Sequence, residues 1–420
     1  MDTINKKTDS RKPKNIKHHN VRYVLSILKK HGVSTASEIS KESNLSVTTI
    51  VKILDILKRE GLAKSCGKGP STREGGKRPE LLAFNETYKY VTGVFFLRTK
   101  ARYVLTDLSG NTLLLREAGY RDGTDMDACI EDACRQVSEI LAEQKLNAAK
   151  DLCGISILID GVVNARLGTV VYPIHNRAWK PGRQIIDRFK TYFPETEHIM
   201  IENSGRLWSQ RFLESHPELA MERILTIYTG VKNTSGVLLD NGEIVHGANC
   251  LIGEFGHMMV PNVKRAVMCE CGRTNCFEKL IAIDRLPEYT LEEIDKSAEP
   301  ELYERLTEHT ISPAELMGRA DEGSRAVQRV MDQITEYYLA VISNLMITCD
   351  PKYYVIGGAY ASGSRYFRDG LVKRFDETTF WGIPFGANIL FDTSAMEDGN
   401  RAYMTAPVIR QYLQTLRLDD

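Results

Sequence analysis

The stretch GEFGHMMVPNVKRAVMCECGRTNCFE, residues 253–278, sets one histidine and three cysteines in the order His257-x11-Cys269-x-Cys271-x4-Cys276. A metal site, a disulfide or four independently buried residues would each account for it. A disulfide would leave one thiol over. Three thiolates and an imidazole are the four donors of a closed tetrahedral Zn²⁺ site, and Cys269 and Cys271 are close enough to clamp one ion from a single turn that Gly272 relaxes. The spacing therefore predicts a structural zinc on His257, Cys269, Cys271 and Cys276. Four protein ligands leave no open coordination position, so the metal is expected to hold shape and not to act on a substrate. Glu254 and Glu278 flank the ligands, and a pinned loop would fix both on one wall of a pocket.

The rest of the chain supplies the setting. Its 420 residues give room for two or three domains with real cores. There is no run of eighteen apolar residues to span a membrane. The opening MDTINKKTDSRKPKNIKHHN is basic and polar with no apolar stretch behind it, unlike a secretory signal. A reducing cytoplasm is thus the expected compartment for the nine cysteines, and there metal binding outranks disulfides. Cys66, Cys129, Cys134, Cys153 and Cys250 show no ligand spacing and read as core or incidental.

A net charge of zero hides an asymmetry. Residues 1–85 hold 18 Lys/Arg against 8 Asp/Glu, an excess of ten positive charges that the remainder cancels. A basic head on an acidic body is the balance of a nucleic-acid-binding module joined to a ligand-handling domain. The head's pattern agrees. Val21, Val24, Leu25 and Leu28 recur at helical spacing and stop at His31-Gly32. STASEISKESN follows as a short helix with Ser34 or Thr35 as N-cap. Asn44 ends it and Leu45 plugs the turn. Ser46 caps a third helix whose Ile50, Ile53, Leu54 and Leu57 form one stripe.

This is a helix-turn-helix. Its third helix would enter a major groove with Ser46, Val47, Thr48, Thr49 and Lys52 towards double-stranded DNA. The next stretch, GLAKSCGKGPSTREGGKRPELLAFN, reads as a hairpin wing whose Arg73, Lys77 and Arg78 would follow a backbone or enter a minor groove.

From Tyr90 the pattern turns to strands. YVTGVFFLRTKARYVLTDLSGNTLLLREAGY is three β segments, a helix occupies 126–147, and CGISILID is a buried strand of the parallel kind. A second strand–turn–strand unit, RILTIYTGVKNTSGVLLDNGEIVHGA, looks like a loose copy of the first. Helices fill 312–347, and APVIRQYLQTLRL closes the chain. Strand triplets followed by helices, twice over, predict two α/β lobes facing each other across a cleft.

The residues resemble the ROK group, named for repressors, open reading frames and kinases, over nearly the whole chain. The group's wing motif GGRP-x-LL resembles GGKRPELLAFN, and its body motif GE-x-GH…C-x-C-G…C-x-E resembles GEFGH…CECGRTNCFE. The resemblance implies a winged helix-turn-helix over 1–85 and a two-lobed actin-like, sugar-kinase (RNase H-like) body over 86–420. The lobes are expected at about 86–205, with the C-terminal helix, and about 206–390. It further implies zinc on the four residues above and sugar contacts from Asn203, Glu254, His257 and Glu278. One imidazole nitrogen would face the metal and the other a sugar hydroxyl.

The departures from family kinases are as informative. They carry an aspartate base after the asparagine, where IENSGRLW has Ser204, whose hydroxyl has no accessible pKa near 7. GVFFLRTKA puts Phe95, Phe96, Leu97 and Arg98 where glycines would admit phosphates. YTGVKNTSG keeps only Gly230 and Gly236 of the second phosphate loop, and Gly357-Gly358 remain of a late glycine pair. Losing the base and both loops argues against phosphoryl transfer. The expectation is a sugar-responsive, DNA-binding repressor, not an enzyme, working as a homodimer or higher oligomer on a palindromic operator. Two alternatives stand beside it: a sugar kinase with a DNA-binding head, and a regulator that answers to a protein partner.

Overall fold

A computed structural model describes residues 13–70, 78–173, 178–230, 233–384, 386–394 and 401–415. The chain divides into two compact units, one of Met1–Glu202 with Arg401–Asp420 and the other of Asn203–Asn400.

The first unit begins with helices Pro13–His31, Ala36–Ser43 and Val47–Arg59. Thr35 opens the second with a capping box: its hydroxyl accepts from the Glu38 amide, and the Glu38 carboxylate accepts from the Thr35 N–H at 2.7 Å. Asn44, left-handed at φ 56°, ends that helix, and the Ser40 hydroxyl donates across the turn to the Leu45 carbonyl at 2.5 Å. Ile50, Ile53, Leu54 and Leu57 are all buried, as the stripe predicts. Strands Ala63–Lys68 and Glu80–Phe84 make the wing hairpin, and Val33–Ser34, a strand the sequence did not suggest, pairs with Glu80–Phe84. Arg73 and Lys77 lie outside the described residues; Arg78 is exposed.

The head does not end in a clean linker. Its core of Val24, Leu28, Leu57, Leu62 and Phe84 continues into Val91, Leu108 and Cys153 of the body and Val408 and Ile409 of the last helix, Ala406–Thr415. The Lys29 ammonium donates to the Leu108 carbonyl at 3.0 Å, adding a polar tie to this shared core. The last helix lies close to strand Leu152–Ile159 because Gly154 has no side chain. A Cβ there would sit 2.2 Å from Val408 and 2.5 Å from the His198 carbonyl.

Each unit holds a five-stranded sheet. In the first the order is His198–Asn203, Leu152–Ile159, Tyr90–Phe96, Lys100–Asp107, Thr112–Gly119. In the second it is Asn388–Asp392, Tyr353–Gly358, Ile224–Thr229, Thr234–Asp240, Glu243–Ile244. Both contain a three-strand antiparallel meander whose first strand pairs in parallel with a later one: Tyr90–Phe96 with Leu152–Ile159, and Ile224–Thr229 with Tyr353–Gly358. The internal repeat seen in the sequence is therefore a repeat of topology. A parallel pair needs a crossover. The helix Met126–Glu143 fills the first, while the second holds the histidine–cysteine loop and the 25-residue helix Arg325–Cys349.

Candidate metal centre and recognition helix

The loop that carries His257 and the cysteines is held by its own backbone and by apolar anchors. Phe255–His257 is a single 3-10 turn. Cys269–Gly272 closes on itself through Gly272 N–H to the Cys269 carbonyl at 3.0 Å and Cys269 N–H to the Arg273 carbonyl at 2.8 Å, with Gly272 at φ +86°. Asn275, also left-handed, accepts from the Val267 amide through its side chain at 3.0 Å. Phe277 follows Cys276 directly and is fully buried, edge-on to Tyr338 with ring centroids 4.9 Å apart.

This frame gathers the predicted donors. One ligand atom from each of His257, Cys269, Cys271 and Cys276 lies within 4.8 Å of the others. Cys271 Sγ and Cys276 Sγ are 3.5 Å apart, and Cys269 Sγ is 3.6 Å from His257 Nδ1. Thiolates bonded at about 2.3 Å to one tetrahedral ion would be about 3.8 Å apart, so the cluster fits a metal of zinc's size. Nδ1 is the nitrogen turned to Cys269 Sγ, which leaves Nε2 on the far side of the ring. Burial pushes the Cys271 thiol up, but hydrogen bonds from the Arg273 backbone and side chain and from the neighbouring cysteines outweigh it and bring it to about 6. Arg273 thus favours the thiolate that a metal requires.

The carboxylates take two different positions. Glu278 is buried against the donors, with Oε1 3.4 Å from Cys269 Sγ and 3.5 Å from His257 Nδ1. Glu254 is half-buried. Desolvation raises its pKa, opposed by the charges of His257 and Arg206. Arg206 is a residue that sequence reasoning missed. It is 5% exposed and donates to the carbonyls of Cys250 and Ile252, both at 3.4 Å. Its position in IENSGRLW, one residue before a buried Leu-Trp, gave no periodic signal.

Asn203 is the N-cap of helix Ser204–Ser215, its Oδ1 accepting from the Gly205 amide at 2.8 Å, and Ser204 is the first helical residue. Arg206 therefore ties the helix that Asn203 caps to the segment leading into Glu254.

The positions of the phosphate loops have other occupations. Phe95 and Phe96 are buried strand residues, Phe96 edge-on to Trp179 at 5.3 Å. The turn after them closes through Leu97 N–H to the Lys100 carbonyl. A Cβ on Gly357 would lie 2.1 Å from the Trp208 ring, and one on Gly358, at φ +87°, 2.1 Å from the Thr229 carbonyl oxygen. Packing accounts for that glycine pair without a nucleotide.

On helix Val47–Arg59 the residues expected at DNA divide in two. The hydroxyls of Ser46 and Thr49 lie 2.8 Å apart, and Ser46 also accepts from the Thr49 amide, so this pair forms the cap. Val47, Thr48 and Lys52 are exposed.

Sequence and structure comparisons place the chain among known proteins. The ROK family profile matches residues 92–383. The chain belongs to the ROK family. Among its relatives, the xylose repressor of Caldicellulosiruptor bescii is 24% identical over 391 residues, covering 91% of this chain and 93% of that protein. A solved ROK family transcriptional regulator, a homologue of the Escherichia coli Mlc protein, superposes with TM-score 0.70 at 19% identity over 95% of this chain and 97% of its own. A ROK glucokinase from Streptomyces griseus, solved with glucose and AMPPNP, superposes with TM-score 0.57 at 18% identity over 77% of this chain and 99% of its own. The ROK body thus has the fold of the family's sugar kinases, and the kinase match leaves about a quarter of this chain uncovered. Among the described residues no helix is long and apolar enough to cross a membrane.

Proposed function

We propose that this ROK protein is a sugar-responsive, DNA-binding transcriptional regulator, a repressor of carbohydrate-utilisation genes whose kinase-like body senses a sugar without phosphorylating it. One observation carries the reading: a helix-turn-helix whose third helix exposes Val47, Thr48 and Lys52 shares a core with a body that has Ser204 as a helix start and buried phenylalanines at its first phosphate loop. Its likeness to the xylose repressor over nine-tenths of both chains supports the same conclusion.

In this reading Zn²⁺ sits on His257, Cys269, Cys271 and Cys276 and fixes the loop. Asn203, Glu254, His257 Nε2 and Glu278 offer hydrogen bonds to sugar hydroxyls. A homodimer places two recognition helices on a palindromic operator. The sugar acts by binding the DNA-competent and DNA-incompetent states unequally. The test is fluorescence anisotropy with an operator selected from random duplexes, titrated with a panel of pentoses, hexoses and amino sugars, alongside a coupled ATP assay. Operator binding released by one sugar, with no ATP turnover, is the expected result. Turnover would establish a kinase. Release by no sugar would favour a protein effector.

A further inference from the structure

The solvent face of helix Val47–Arg59 is formed by Val47, Thr48, Val51, Lys52, Asp55 and Arg59. Two of its members are unexpected there. Val47 is 46% exposed and Val51 44% exposed, one helical turn apart at i and i+4. Neither belongs to the buried stripe. Neither favours the helix either, since a β-branched side chain loses χ1 freedom there and valine ranks below most polar residues as a helix former. The face therefore presents an apolar row, Val47 and Val51, beside a polar row, Thr48 and Lys52, in the half of the helix nearest its N-terminus.

Resting on the DNA-binding reading above, we infer that Val47 and Val51 are specificity-determining residues that read the C5-methyl groups of two thymines in the major groove. The thymine methyl is the apolar group that base edges present there, whereas every other feature is a donor or an acceptor. Four residues of helix rise about 6 Å, close to two base-pair steps of about 3.4 Å. The row is therefore spaced for thymines two steps apart on a half-site. Electrostatics selects the occupant: the head carries an excess of ten positive charges, and Lys52 lies beside the row, which suits a polyanion.

The experiment uses the full chain. A random duplex pool is selected for binding, and the enriched duplex is resynthesised with single thymines replaced by deoxyuracil, which removes one methyl and no hydrogen-bonding group. The expected result is a loss of about fourfold in affinity at each of two thymines per half-site, the scale of one buried methyl. Val51→Ala and Val47→Ala, which retract the side chain by two methyl groups, should each diminish the sensitivity at one of the two. Alanine is the better helix former, so both variants keep the helix. Undiminished deoxyuracil sensitivity in both variants, or none in the wild-type chain, overturns the methyl reading and leaves DNA binding intact. A pool from which no duplex is enriched overturns both, and a protein partner for the face then takes its place.

Discussion

The crossovers of the two sheets differ far more than the sheets themselves. Residues 120–151 take the first from its third meander strand to its parallel strand with one long helix and a single turn of another. Residues 245–352 do the same for the second and hold the donor cluster, Glu254, Glu278 and several helices. In the first unit the elaboration comes from the chain ends instead: the head before the sheet and the helix Ala406–Thr415 after it share a core with the strands. One scaffold is thus extended at different points, with the helical head and the last helix on the termini and the histidine–cysteine cluster inside a crossover.

The most severe way to break this contrast is to remove the zinc proposed for the cluster. Cys271→Ser, or exhaustive chelation, should release one zinc per chain and lower the unfolding transition of the second unit by about 10 °C, a loss of about 3–5 kcal/mol for a unit of this size. That is less than the roughly 10–16 kcal/mol seen when zinc folds an isolated finger, because Phe277, Val260 and Val267 anchor the loop in the core without it. DNA binding should persist while the sugar response disappears. Scanning calorimetry with metal analysis reads both units at once. A Cys271→Ser chain that keeps its metal and its response refutes the pinned loop.

The next effect belongs to the first unit. Ile409→Ala removes a buried side chain from the core that joins head and body, at a cost of about 2–5 kcal/mol. The transition of the first unit should fall and that of the second stay in place. The same shared core implies that residues 1–85 alone, stripped of Val91, Leu108, Val408 and Ile409, unfold with poor cooperativity. A sharp, native-like spectrum from that fragment would show the head to be independent.

How much of this was legible beforehand follows from which forces act locally. The helix-turn-helix was readable because caps and stripes are contacts between near neighbours: Thr35 with Glu38, Ser46 with Thr49, Ile50 with Leu54. The histidine–cysteine cluster was readable because one histidine and three cysteines at this spacing have few other uses. Strand Val33–Ser34 was not, since two residues carry no periodicity and are made a strand by pairing with Ala83 and Leu82. Arg206 was hidden for a similar reason: its burial depends on carbonyls more than forty residues away. The shared core escaped too, because Val408 and Ile409 look like any amphipathic helix until Gly154 shows where they dock.

A smaller effect sharpens the picture of the last helix. His198 lies under it, with Nε2 3.3 Å from the Thr415 hydroxyl and its ring edge-on to Tyr412 at 5.9 Å. Burial lowers its pKa, opposed by Glu197. An unfolded imidazole titrates near 6.5, so the fold favours the neutral ring. This contribution is complete above pH 6.5 and is lost as the pH falls through the lowered folded value. The stability of the first unit should therefore decline on acidification from pH 6.5 downwards. His198→Gln should make that decline shallower, measured by denaturant titration of the first unit at pH 5 and 7.5. An unchanged slope would mean that other groups set it.

The smallest effect is expected where a single residue most obviously separates this chain from its kinase relatives. Ser204→Asp restores the carboxylate base at the first residue of helix Ser204–Ser215, where a negative charge meets the positive end of the helix dipole and should stabilise by about 0.3–1 kcal/mol. It should bring no ATP turnover with any sugar. A base is useful only where the phosphoryl group is held in line, and Phe95, Phe96 and the Trp208-backed Gly357 are committed to packing at the positions where phosphate-binding loops would lie. Turnover above the wild-type background would mean that nucleotide is held by other groups. The distance between the regulator proposed here and a kinase would then be one side chain, and not the remodelling of two loops.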